Sequence, residues 1–126
     1  MRYLIPAILV MVSGLAGPVV ADDQTDAVRT MAGILAELNH FPSDADKRQL
    51  DALAADDATT EHERTIAEAI RDVEHRVTAV DRQALSTLVA DDSVPDPVKT
   101  LAGVLLDLNH TPSAAEKAEL RRLMGR

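Results

Sequence analysis

The stretch LNHFPSDADKRQL, residues 38–50, returns as LNHTPSAAEKAEL at residues 108–120. Sliding the chain against itself by seventy positions aligns residues 27–56 with 97–126, and 14 of those 30 pairs are identical. A slide of thirty-five exposes a third and more divergent copy, so the units begin at Thr30, Thr65 and Thr100. Ala32, Ala67 and Ala102, then His40, His75 and His110, then Leu50, Leu85 and Leu120, then Leu53, Leu88 and Leu123 all fall in one register. A fixed period of this size marks an array of supersecondary units.

Each unit reads as two helices. Val28, Met31, Ala32, Leu35 and Leu38 recur at the three and four spacing of an amphipathic helix, which places them on one stripe. Ile66, Ala67, Ile70 and Val73 repeat that stripe, as do Val98, Leu101, Ala102, Leu105 and Leu108. The first helix is expected to stop near Asn39, because Asn tolerates a left-handed helix end and Pro42 follows. The second opens with a hydroxyl and, three residues on, a carboxylate: Ser43 with Asp46, Thr78 with Asp81, Ser113 with Glu116. That spacing lets each satisfy the other's backbone amide. Thr60 with Glu63 forms a further such pair, and Asp96 before Pro97 reads as a cap and first-turn residue. Gly33 and Gly103, inside the helices, imply a close approach by a neighbour, because Gly costs a helix about 1 kcal/mol against Ala.

The fold expected is all-α: three tandem 35-residue helical hairpins, six helices in all, over about 27–57, 61–92 and 96–126. One hairpin is too small to bury its own stripe, so the units stack as a short solenoid or a compact bundle. The last unit ends at RRLMGR with no capping helix, which leaves its outer stripe to be covered by a partner, a second copy or the first unit.

Ahead of this domain, residues 1–21 read as a cleavable secretory signal. Arg2 is followed by an apolar run from Tyr3 to about Val12, then Gly14, Gly17, Pro18 and a V-x-A cleavage pattern ending at Ala21. The mature domain is then 22–126, in the periplasm or secreted, with no membrane attachment once cut. The whole chain carries 13 basic and 21 acidic residues, net −8. Without Arg2 the balance is twelve against 21, net −9. Such a surface repels phosphate backbones, which argues against nucleic acid. Cysteine is absent, so no disulfide or catalytic thiolate is available.

The residues with ligand chemistry are the three in-register histidines, each with an acid three positions earlier: Glu37 and His40, Asp72 and His75, Asp107 and His110. Carboxylate and imidazole together suit Zn, Ni or Cu(II). Neighbouring helices pack about 8 to 10 Å apart, whereas nitrogen ligands sit about 2 Å from a zinc ion. A regular stack therefore keeps the imidazoles on separate ions; only a closed arrangement, with three corners on one axis, gathers them. The competing assignment is structural: each His donates to carbonyls at a helix end, and each acid pairs with Lys47, Arg82 or Lys117 ten positions on. The Asp pairs at 56–57 and 91–92 lack the spacing of a calcium loop and read as solvated turns. No nucleophile, base and oxyanion set stands out, so no enzyme is expected and no resident cofactor beyond a divalent transition metal. Two functions follow as expectations: an exported protein-interaction or self-association module, or a periplasmic metal-binding or metal-buffering protein.

Overall fold

A computed structural model describes residues 25–125; the expected signal segment lies outside them. The described chain is all-helical and holds six helices: α1 Asp26–Ala36, α2 Asp44–Ala55, α3 Glu61–Arg71, α4 Ala79–Ala90, α5 Asp96–Asp107 and α6 Ala114–Leu123. Their lengths, 10 to 12 residues, are those of helices that depend on tertiary packing for stability.

Five helices start on a hydroxyl. Thr25, Ser43, Thr60, Thr78 and Ser113 each accept from the backbone N–H three residues on, which satisfies one of the orphan amides of a helix start. The reciprocal carboxylate bond forms only where the third residue is Glu: Glu63 and Glu116 accept from the amides of Thr60 and Ser113. Asp46 and Asp81, also expected to complete such pairs, are one methylene shorter, and Asp81 Oδ2 is buried without a partner. Asp96 also departs from expectation. The cap of α5 is Pro95, with Asp96 and Pro97 already in the first turn and no side-chain cap bond. Proline is tolerated there because the first amides of a helix have no intrahelical acceptor anyway.

The inner helices α1, α3 and α5 each touch the other two, and their stripes form the centre. Val28, Met31, Leu35, Ile66, Ile70, Val98, Leu101 and Leu105 are all buried, as are the small Ala32, Ala67 and Ala102 that permit the close approach. The outer helices bury less: Leu50 from α2, Leu85 and Leu88 from α4, Leu120 and Leu123 from α6.

The pairing of outer with inner helices differs from a stack of hairpins. Each outer helix packs chiefly on the inner helix that follows it, α2 on α3 and α4 on α5, and only lightly on the one before. The last described helix, α6, packs chiefly on α1. Of the two arrangements expected, then, the open solenoid is not the one formed; the array closes on itself. Covering α1 with α6 buries two apolar stripes that an open end would leave wet, at roughly 1.5 to 3 kcal/mol for each large side chain. Met124 seals this seam, its methyl lying where a Cβ on Gly33 would come within 3.3 Å. Gly103 has no such neighbour, since a Cβ there would meet nothing within 4 Å. The close approach expected at both glycines thus exists at Gly33 alone, against a flexible side chain.

A buried carboxylate joins two of the inner helices at their starts. Glu63, only 3% exposed, accepts from the Thr60 amide on one oxygen and from the Thr25 hydroxyl, at 2.6 Å, on the other. One side chain therefore completes the cap of α3 and holds the cap residue of α1.

Candidate metal centre

Closure brings the three corners between inner and outer helices to one place. The α1 helix ends at Ala36, not near Asn39, and the left-handed residue is His40. Its φ is 73°, and His75 and His110 both stand at 72°. At two corners Asn39 and Asn109 precede them, so the residue type that tolerates this conformation most readily after glycine sits one position too early to supply it, and at the third the preceding residue is Glu74.

These three residues bond to one another through their backbones. The His75 amide donates to the His40 carbonyl at 2.6 Å, the His110 amide to the His75 carbonyl at 2.8 Å, and the His40 amide to the His110 carbonyl at 2.8 Å. The result is a cyclic triangle of hydrogen bonds in which each histidine gives one and receives one. At His40 and His110 the chain is further folded by bonds from the amide of the next residue to the carbonyl of the one before, Phe41 to Asn39 at 2.9 Å and Thr111 to Asn109 at 2.8 Å. A bond across two residues with a central φ near +75° defines a γ-turn, a strained conformation. At His75 the neighbouring bond runs the other way, from the Glu74 amide to the Arg76 carbonyl at 3.2 Å.

The imidazoles follow the backbone. Ring centroids are 5.0, 5.0 and 4.8 Å apart, and each pair is edge to face. The ring nitrogens able to bind a metal, one from each residue, all lie within 4.8 Å of one another. A tetrahedral zinc with arms of about 2.0 to 2.1 Å would hold its nitrogens about 3.4 Å apart, closer than the 4.8 Å within which they lie here. His40 is half-buried and the other two are exposed.

His110 Nδ1 lies 2.8 Å from Asn109 Oδ1. An N–H at Nδ1 donated to that amide oxygen leaves the Nε2 lone pair free for a metal, the usual way an outer partner fixes a ligating imidazole. Asn109 was not among the residues the sequence singled out, although the repeated Asn-His pair at 39–40 and 109–110 contained the signal.

Among the described residues this is the one group of three or more His, Cys, Asp or Glu side chains with metal-ligand geometry. Glu37, Asp72 and Asp107, the acids named with the histidines, are exposed and lie outside it. The competing ion pairs with Lys47, Arg82 and Lys117 do not form either. Arg71 instead bridges Asp51 at 3.0 Å and Asp72 at 3.3 Å, and the Asp51 and Asp72 carboxylates push its guanidinium above the usual arginine value. Arg82 donates to the Leu106 carbonyl at 3.3 Å. None of the three imidazoles donates to a helix-end carbonyl. The Asp56 and Asp91 turns hold their carboxylates on local amides, those of Ala58 and Ser93, each at 2.9 Å.

No protein-family model matches the chain, and comparison with curated proteins and with solved structures finds no match.

Proposed function

We propose that the protein is an exported metal-binding protein whose mature chain holds one divalent transition-metal ion, Zn, Cu(II) or Ni, on His40, His75 and His110. The observation that carries this reading is the cyclic backbone triangle that sets three imidazoles around one axis. A left-handed backbone costs a residue with a Cβ on the order of 1 to 3 kcal/mol, and glycine would avoid that cost. Histidine stands at all three positions, so what the side chain supplies has to outweigh what the backbone loses. Three imidazoles a few ångströms apart meet the demands of a borderline metal, and the net acidic surface favours cation capture.

In this reading a 35-residue unit written three times is the means of building the site. One copy contributes one imidazole, and closing three copies into a ring brings three together. Export fits a binding or buffering role outside the cytoplasm, with the mature chain beginning at Asp22.

The alternative, a protein-interaction or self-association module, rests on the repeat, the export signal and the missing catalytic set, and an uncovered stripe at the last unit would have given it a docking face. That stripe is covered by α1, and among the described residues the large apolar side chains left exposed, Phe41, Val80 and Val89, are few.

Calorimetric titration of the mature protein with Zn, Cu(II) and Ni tests the proposal. One ion per chain at micromolar affinity or tighter is expected for at least one metal, lost in each of His40→Ala, His75→Ala and His110→Ala. Binding that survives any of these changes, or no binding, overturns it. Three weak ions per chain would instead assign separate acid and histidine sites.

A further inference from the structure

An open cleft of about 640 Å³ adjoins the triad, and His75 is part of its wall. Phe41, Lys47, Arg71, Asp72 and Glu74 line it with His75. Phe41 is the only phenylalanine of the chain and is 56% exposed, an arrangement that leaves a large apolar face to water beside a polar site. Lys47 has no ion-pair partner within 4 Å among the described residues, whereas Arg71 is held by Asp51 and Asp72. The charges of the lining, Lys47 and Arg71 against Asp72 and Glu74, cancel.

We infer that, with a metal on the triad, this cleft binds a small organic carboxylate, its anionic group on the open coordination positions of the metal and its apolar body against Phe41. The inference rests on the metal reading above and adds the ligand class to it. Three protein ligands would leave a four-coordinate ion one position short, and two of the three imidazoles, His75 and His110, are exposed. A cleft of a few hundred cubic ångströms suits a small molecule. Loading a divalent cation turns a locally neutral wall into one of charge about +2, a sum that already includes the unpaired Lys47 ammonium. Anion capture is therefore conditional on the metal. The apolar face selects among anions, since burying an aromatic ring against Phe41 contributes what water alone does not.

The test uses mature protein carrying one equivalent of Co(II), whose visible absorption reports its coordination. Acetate and 3-phenylpropanoate are titrated in turn. The expected result is that both shift the Co(II) bands, with 3-phenylpropanoate half-saturating at a concentration about tenfold lower or less. Phe41→Ala removes most of that advantage with Co(II) affinity unchanged, and Lys47→Gln weakens both anions. Metal-free protein binds neither by calorimetry. Equal half-saturation for the two anions, an advantage that persists in Phe41→Ala, or binding of 3-phenylpropanoate without metal overturns the ligand assignment and leaves the metal centre standing. Failure to bind Co(II), Zn, Cu(II) or Ni at all overturns both.

Discussion

The His75 amide donates to the carbonyl of His40 at 2.6 Å, although thirty-five residues separate them. Both stand at positive φ, which turns their amides and carbonyls toward the shared axis. Together with His110 they form a closed set, so the position of each imidazole is fixed by the other two units. Changing the residue type at one corner should therefore separate the backbone's requirement from the metal's.

At His75 the left-handed backbone disfavours any side chain with a Cβ by roughly 1 to 2 kcal/mol, partly offset by the greater freedom glycine has when unfolded. Metal-free His75→Gly is expected to be more stable than metal-free His75→Ala by about 0.5 to 1 kcal/mol. Both lose metal binding. Urea denaturation of the two variants in chelator measures it. Equal stability would mean that the strain assigned to this corner is relieved elsewhere.

Closure of the ring predicts a large effect close to the C-terminus. Leu120 is fully buried on α6, the helix that packs on α1. Leu120→Ala should cost about 2 to 5 kcal/mol, the range for a buried leucine, measured as a fall in the denaturation midpoint. A loss below about 1 kcal/mol, as expected of a frayed terminal helix, would show that α6 does not close the array in solution.

The two helix glycines should respond differently. Gly103→Ala adds a methyl to open space inside α5 and should stabilise by about 1 kcal/mol. Gly33→Ala gains the same propensity but presses on the Met124 methyl at 3.3 Å, so its net gain is smaller. Thermal denaturation of the pair checks the order; the reverse order would contradict the seam as described.

Much of this was legible in the sequence, for a physical reason. Helix starts depend on residues three apart, so Ser43, Thr60, Thr78 and Ser113 announced themselves, and the stripes through Met31, Ile66 and Leu101 marked the core. The exceptions were also local. Asp81 looked equivalent to Glu116 and is one methylene too short, and Asp96 looked like a cap and is the first helical residue. What the sequence did not carry is the closure. Whether α6 meets α1 or ends free depends on the small rotation between units, which no pattern at period thirty-five encodes. The gathering of His40, His75 and His110 inherits that dependence. The left-handed conformation at each His was hidden as well, because Asn39 beside it was the residue expected to adopt it.

One acidic turn has a titration that follows from its geometry. The Asp91 carboxylate accepts from the Ser93 hydroxyl at 2.7 Å and from the Ser93 amide at 2.9 Å, and these bonds hold its carboxyl below the usual value. A carboxyl lowered by folding stabilises the fold at pH above the unfolded value, and that contribution is lost as pH falls through the folded one. Ser93→Ala removes the hydroxyl and should raise the Asp91 value toward that of an ordinary aspartate, as read by carbon NMR of the side-chain carboxyl. An unmoved titration would assign the shift to the amide alone.

The claim that one ion sits on three imidazoles is tested most directly by X-ray absorption at the zinc edge, on mature protein carrying one equivalent of Zn. Three imidazole ligands at about 2.0 to 2.1 Å with one further oxygen or nitrogen donor are predicted. A shell of oxygens with one imidazole or none would contradict the account.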